Sequence, residues 1–566
     1  MKIKFNHKVS IYSGEYPLIY SEATPENETN QFMFENGWVP YYDVWYQTKS
    51  ARLKLKPISG KRQNQLSKIK ITTKTNNSEI KILKEALNNN KSELIAVYGR
   101  RRVGKTFLIR EFYSNHIVFD VTGLLGGNMK DQLQNFSKEI LKRTQKTVPM
   151  INSWFEMFTE LEKYLDCKND KKKKVLFIDE LPWIATAKSK FLMAFENFWN
   201  NYCTKRDDLV VVICGSAASF MVQKIIKNKG GLHNRVSRKI RLLPFNLYET
   251  KLFFKSRGIN YTNYDILQVY MAIGGVPHYL DKLQKGLSVS QNIDGLCFSK
   301  DGILNDEFKI LYASLFDDSD KHMKIIKTLA ASNKGLPRKE LIIASGIASG
   351  GDFSIKLEEL LESGFVSEYA YYQNKKQLTL YRLSDEYSKF YLKFIEKNKN
   401  GGEGTWLKLS NTQSYKTWSG FAFETVCLKH VNQIKKALKI EAIYSTNHSW
   451  FNENAQIDLL IDRADNIINL CEMKFYNAAV TIDKNMYLNF KNKIAELNTA
   501  IETKKNVYLT MITTYGVKEN EYSIELVQNN ISMDCLFINS IFRQNYLIFP
   551  LLANLNCFLF LQLIEL

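Results

Sequence analysis

Residues 94–112 read LIAVY-GRRRVGKT-FLIREF: an apolar β-branched run, a basic loop bracketed by glycines, and a segment of helical spacing. The loop fits G-x-x-x-x-G-K-[ST], and each position has a chemical reason. Gly99 and Gly104 let the backbone curl, so the N–H groups of Arg100, Arg101, Arg102 and Val103 can face a chain of phosphates. Lys105 is placed to bridge the β- and γ-phosphates, and Thr106 supplies a hydroxyl for Mg²⁺. The following helix points its partially positive N-terminus at the same anion. A nucleoside triphosphate with Mg²⁺ is therefore the expected ligand.

Working outward, Val175-Leu-Phe-Ile-Asp179-Glu180 is an apolar run ending in two acids. Asp179 is the expected metal ligand, and Glu180 the group that polarises the attacking water. Cys214-Gly-Ser216 ends another apolar run and offers a small hydroxyl to the γ-phosphate or the water. Arg235 is the candidate cation for the transferring phosphoryl group, with Arg238 and Arg241 close by in the same basic stretch.

The runs 94–98, 117–121, 175–179 and 209–214 are continuously apolar, as strands buried on both faces should be, and a basic fifth run covers 237–243. Helical spacing between them predicts an α/β parallel sheet. Beyond residue 280, helices are expected over 321–331, 338–344 and 354–363, then strands over 368–372 and 377–383 around a polar turn at 373–376. Three helices and a hairpin are the layout of a winged helix-turn-helix. The glycine-rich stretch 397–405 reads as a linker.

A last mixed α/β region carries Glu424 on a helical segment, Asp458 in Gln456-Ile-Asp458, and Glu472-Met-Lys474 ending a strand-like run. The order E…D…E-x-K is the pattern of a metal-dependent phosphodiesterase. Glu424, Asp458 and Glu472 would hold Mg²⁺, and Lys474 would stabilise the hydroxide or the phosphorane charge. Glu472 and Lys474, two apart on a strand, face the same side.

These motifs together, with Gly274-Gly275-Val-Pro277, resemble the archaeal-type ATPase family of AAA+-like P-loop proteins, over about residues 76–537. The resemblance implies ATP rather than GTP; no N-K-x-D guanine reader is present. It places Pro277 near the adenine, and it implies a C-terminal domain of restriction-endonuclease-like fold. Residues 36–69 resemble the N-terminal part of arginyl-tRNA–protein transferases, but the paired cysteines usual there are missing and no transferase domain follows.

The expected layout is an N-terminal α+β segment (1–76), a P-loop ATPase core (77–245), a helical lid (246–320), a winged helix (321–396), a nuclease-like domain (406–537) and an apolar tail (538–566). At 566 residues the chain exceeds a single core. Its net charge of +20 makes DNA the first expected partner. A protein partner controlled by nucleotide state, without cleavage, is the alternative, and self-association is open. The eight cysteines form no C-x-x-C pair, which fits a reducing cytoplasm. Polar residues interrupt the apolar stretch 546–564, so a membrane anchor is not expected.

Overall fold

The computed structural model describes residues 77–145, 151–168, 172–186, 188–227, 234–316, 318–332, 334–372, 379–399, 401–501 and 504–539, with four short strands nearer the N-terminus. Those strands, β1 (Val9–Tyr12), β2 (Leu18–Ser21), β3 (Trp38–Tyr41) and β4 (Val44–Gln47), make an antiparallel sheet of order β1-β2-β4-β3 in a unit of their own. The basic stretch 50–70, the turn at 373–376 and the tail from 540 onward lie outside the described residues.

In the second unit the four apolar runs and the basic run become β5 (Glu93–Tyr98), β6 (Ile117–Thr122), β7 (Lys174–Asp179), β8 (Leu209–Gly215) and β9 (Arg238–Arg241). All pair in parallel, in the order β6-β7-β8-β5-β9. Alternate residues point to opposite faces, and both faces are covered. Leu94, Ala96, Ile178, Val211 and Ile213 meet Trp154, Phe158 and Phe191 on one side. Ile95, Val97, Phe177, Val210 and Val212 meet Leu83, Leu108, Ile109 and Tyr113 on the other. This double burial is why the strands read as unbroken apolar runs. Helices start where the sequence offers caps: Asn128 with Asp131 closes a capping box at Met129–Thr144, and Ser153 caps Trp154–Asp166.

After β9 come helices that include Leu247–Ser256, Asn263–Ile273, Val289–Cys297 and Glu307–Leu315. Three helices follow, at Ser319–Ala331, Arg338–Ser345 and Gly351–Glu362. A sheet of order β10-β12-β11 completes this segment, from β10 (Leu336–Pro337), β11 (Val366–Ala370) and β12 (Thr379–Leu383). The third helix begins three residues before the expected 354, through Gly351, Asp352 and Phe353; Phe353 is fully buried, so packing extends the helix backward.

The C-terminal part holds the helix Gln413–Lys429 and a mixed sheet of β13 (Ser445–Phe451), β14 (Gln456–Arg463), β15 (Ile467–Lys474), β16 (Asn506–Thr513) and β17 (Val527–Ser532), in that order. The first two pairings are antiparallel and the last two parallel, with the helix Lys484–Ile501 crossing between β15 and β16. Among the described residues, no helix is long and apolar enough to cross a membrane.

Candidate active site

The phosphate loop leaves the C-terminal end of β5 and enters the helix Lys105–Phe112. Gly99 has φ +143°, and a Cβ there would lie 2.2 Å from the Leu242 carbonyl oxygen, so only glycine fits. Gly104 turns the chain into the helix at φ +91°, and Arg102 also takes a left-handed conformation, φ +71°. A non-glycine residue there stores strain that the surroundings must hold in place. The Lys105 Nζ is buried and donates to the carbonyls of Gly99 (3.0 Å) and Arg100 (2.9 Å).

Thr106 Oγ1 donates to Asp179 Oδ2 at 2.7 Å, joining the loop helix to the end of β7 across the intervening β8. A hydroxyl and a carboxylate this close form the hard-oxygen donor set that suits Mg²⁺, so the residues present fit that ion. Glu180 follows at φ +49°, and its Oε2 accepts from both the Ser216 amide (3.1 Å) and the Ser216 hydroxyl (2.8 Å). The end of β8 is thereby tied to the acid that follows Asp179.

The side chains of the three loop arginines meet other parts of the chain. Arg100 pairs with Asp385, both fully buried, and stacks 4.6 Å from the Phe365 ring centroid. Burial works against its charge, but the Asp385 carboxylate more than offsets this and raises its pKa. Arg101 lies 5.9 Å from the Trp183 ring centroid. Arg102 pairs with Glu307, which also accepts from the Tyr279 hydroxyl at 3.0 Å. Tyr279 sits in the short helix headed by Pro277, so the Gly-Gly-Val-Pro turn connects back to the loop. That turn is tight: a Cβ on Gly275 would stand 1.8 Å from the Phe245 carbonyl oxygen.

Arg235 is not brought to the phosphate loop of its own chain, which corrects its expected role there. Arg238 pairs with Ile95, and the Ser237 amide donates to the Leu94 carbonyl (3.0 Å), so Arg235 falls level with the start of β5. The loop leaves the other end of that strand, roughly 17 Å away at the usual rise per residue. The neighbouring arginines are engaged elsewhere: Arg238 with Glu85 and Glu93, Arg241 with the carbonyls of Leu361 and Glu362.

In the C-terminal part the residues of the sequence pattern lie on the helix Gln413–Lys429 and on the neighbouring strands β14 and β15. One register step beyond the Leu459↔Cys471 pair sets Asp458 opposite Glu472, and Glu424 stands near both. Burial first, then the charge of Asp458, pushes the Glu424 carboxyl up to about 8. Burial opposes the charge of Lys474, but Glu472 and Glu424 prevail and raise its pKa. Glu424 and Lys474 line a cleft of about 830 Å³ whose far wall includes Tyr264 and Gln268 of the lid.

The acids here are nevertheless occupied. Asp458 faces Arg382 Nη1 at 3.1 Å and accepts from Gln456 (2.9 Å); Glu472 pairs with Lys474 (3.4 Å) and with Lys493. Among the described residues, no three His, Cys, Asp or Glu side chains are grouped to hold a metal ion. The oxygen chemistry of the set suits Mg²⁺, but its geometry here is that of ion pairs.

The sequence reading missed Asp385, Glu307, Arg382 and Lys493. Each works by contact with a residue far away in the chain. The one local signal is the helix cap in Ser384-Asp385-Glu386, where Asp385 accepts from the Ser388 amide at 2.9 Å.

A parallel five-stranded sheet with this loop and this acid defines an ATPase of the P-loop class. Residues 77–283 match the family described as an ATPase domain predominantly from Archaea, and residues 391–486 match one described as archaeal and bacterial proteins of unknown function. The central part of the chain thus carries an ATPase domain of the archaeal type. It is similar to the uncharacterized protein MJECL04 of Methanocaldococcus jannaschii, 23% identical over 385 residues, which is 68% of this chain and 82% of the relative. It is also similar to the uncharacterized ATP-binding protein MJ0074 of the same organism, 26% identical over 300 residues, 45% of this chain and 81% of the relative. Among solved structures, the Walker-type ATPase paby2304 of Pyrococcus abyssi is similar at 15% identity and a TM-score of 0.40, covering 56% of this chain and 95% of that one.

Proposed function

We propose that this chain is a Mg²⁺-dependent ATPase that couples nucleotide state to its winged segment and C-terminal domain, through which it binds or cleaves DNA. The observation that carries the ATPase reading is the Thr106–Asp179 hydrogen bond of 2.7 Å beside Lys105. Thr106 and Asp179 would hold Mg²⁺, which supplies charge neutralisation of the phosphates when bound. Main-chain amides of residues 99–104 and Lys105 bind and orient the triphosphate. Glu180, held by Ser216, takes the proton of the attacking water. Pro277 flanks the adenine. Lys105→Ala should weaken ATP binding about 100-fold, roughly 2.7 kcal/mol, whereas Glu180→Gln should bind ATP and fail to turn it over. Calorimetry beside a phosphate-release assay separates the two, and ordinary turnover by Glu180→Gln would remove Glu180 from its role.

In the C-terminal domain Glu424, Asp458 and Glu472 would hold Mg²⁺ only on exchanging their partners Arg382, Lys474 and Lys493 for the ion, and Lys474 would then steady the charge that develops at phosphorus. The net charge of +20 supports a polyanionic partner. Affinity for DNA should then fall steeply with added salt, because phosphate contacts release counterions; a flat salt profile would exclude it.

A second reading is a slow switch that binds a protein partner according to nucleotide state. It is favoured by the contacts just beyond Ser216. Ser219 donates to Glu359 (3.3 Å) and Lys227 pairs with Glu358 (3.4 Å), so the helix Gly351–Glu362 packs against the segment that follows β8. Equal partner affinity in the ATP and ADP states would discard this reading.

A further inference from the structure

The helix Glu386–Phe390 continues as a π turn over Tyr391–Ile395, where the Glu396 amide donates to the Tyr391 carbonyl at 2.8 Å. Lysines recur through this stretch every four residues, as Lys389, Lys393 and Lys397. All three line a groove of about 440 Å³, walled also by the end of the helix Ser319–Ala331 and by the helix Gln413–Lys429. Glu396 is the one carboxylate in that lining, and Lys327 already holds it at 3.0 Å. Lys393 and Lys397 are exposed, and among the described residues neither has an ion-pair partner.

Like charges at four-residue spacing along a helix repel one another. Lys389 is the least exposed of the three. It donates to a neutral partner, Thr425 Oγ1, at 2.6 Å, and burial lowers its pKa to about 8. The wall adds Trp418, 8% exposed, whose indole N–H has no acceptor. A buried donor left without a partner is uncommon in folded proteins, and π turns are frequent at functional sites. The groove therefore offers uncompensated positive charge and an unused donor; an anion would satisfy both. Because its cations stand in a row within a concavity, it admits a chain of phosphates and excludes a flat lipid surface.

The winged segment presents the opposite chemistry. In a helix-turn-helix the recognition helix lies in the major groove of DNA. The corresponding helix, Gly351–Glu362, sets Asp352, Glu358, Glu359 and Glu362 against Lys356 alone, and a phosphate backbone is repelled there. The helix is also seated on the ATPase core: Gln223 donates to Glu358 at 3.5 Å, and Arg241 donates to the carbonyls of Leu361 and Glu362. We propose that nucleic acid docks by its phosphate backbone in the groove of Lys389, Lys393 and Lys397, and not on the third helix of the winged segment. The proposal rests on the reading of this chain as a DNA-binding protein, and it names the surface that does the binding.

The test is fluorescence anisotropy of a labelled DNA duplex and, separately, of one of its strands, titrated with the full-length protein at several salt concentrations. Each lysine–phosphate contact releases counterions, so the logarithm of affinity falls against that of salt by roughly 0.9 per contact on a duplex. Lys393→Gln/Lys397→Gln should bind at least about 10-fold more weakly at low salt, with a slope shallower by about two. Both positions are exposed, so this variant should fold as wild type does. Lys393→Arg/Lys397→Arg keeps both charges and should stay near wild type. Lys339→Gln, exposed on the helix Arg338–Ser345, should leave affinity and slope unchanged. A wild-type slope in Lys393→Gln/Lys397→Gln, with DNA still bound, would overturn the groove and leave DNA binding standing. A shallower slope in Lys339→Gln instead would return the contact to the winged helices. Tighter binding to phosphatidylglycerol vesicles than to either DNA, lost in the same double variant, would assign the groove to lipid and overturn the proposal. No binding of either DNA by wild type would remove DNA binding itself, and the role of the groove with it.

Discussion

The phosphate loop and the C-terminal acids are both sets of charged residues at strand ends, yet they are satisfied in opposite ways. At the loop, Asp179 accepts from a neutral hydroxyl, Thr106, and from the Glu180 amide at 3.0 Å, while Arg100 and Arg102 pair with Asp385 and Glu307. At the C-terminal acids, Arg382, Lys474 and Lys493 already stand against the carboxylates. The difference is one of readiness. A carboxylate held by neutral donors keeps its charge for an incoming cation, whereas one paired with a guanidinium must first exchange partners.

The largest effect expected is on the pair that links the two regions. Arg100 and Asp385 are both buried, and removing one partner leaves an uncompensated charge that costs about 3–5 kcal/mol. Asp385→Ala should lower the unfolding free energy in denaturant by that amount, and Arg100→Met/Asp385→Leu should recover most of it. If the single variant is as stable as wild type, the two regions are not joined through this pair.

A comparable effect is expected at His430, which closes the helix bearing Glu424. Its Nδ1–H donates to the Val426 carbonyl at 2.7 Å, and its Nε2 accepts from the Leu247 amide of the lid at 3.0 Å, so the ring is held neutral. Burial lowers its pKa to about 4. The folded value lies below that of an unfolded histidine, so the unfolded chain binds the extra proton. The contribution is fully present above about pH 6.5 and is lost as pH falls toward 4, amounting to about 3 kcal/mol. Over that window, unfolding curves for His430→Gln should fall less steeply than those of wild type; parallel curves would show that the ring does not bear this load.

The smallest effect contrasts the two acids Asp458 and Asp179 directly. Asp458→Asn leaves the largely buried Arg382 without its carboxylate and should cost about 1–3 kcal/mol of stability. Asp179→Asn keeps an acceptor for Thr106 and should change stability by less than about 1 kcal/mol while weakening Mg²⁺-dependent nucleotide binding. Equal stability losses would erase the distinction between the two regions.

Much of the fold was legible along the chain. The runs ending at Tyr98, Asp179 and Cys214 announced buried parallel strands because both faces of that sheet are covered, which removes the polar alternation of a half-exposed strand. The strand, loop and helix that carry Gly99, Lys105 and Thr106 were legible because such a loop needs fixed residue types at a fixed spacing between a strand and a helix. Arg235 was misplaced because a basic run shows no depth along its strand: register against β5, not composition, sets it at the far end of the sheet.

By itself the sequence determined the parallel sheet, the phosphate loop and the order of the C-terminal acids, since each rests on neighbours a few residues apart. Only the tertiary structure decided which charges are already paired. Arg100 and Asp385 are 285 residues apart in the chain, and no local pattern records an ion pair made across that separation. Coulombic partners are chosen by distance in space and by burial, and both exist only once the chain has folded.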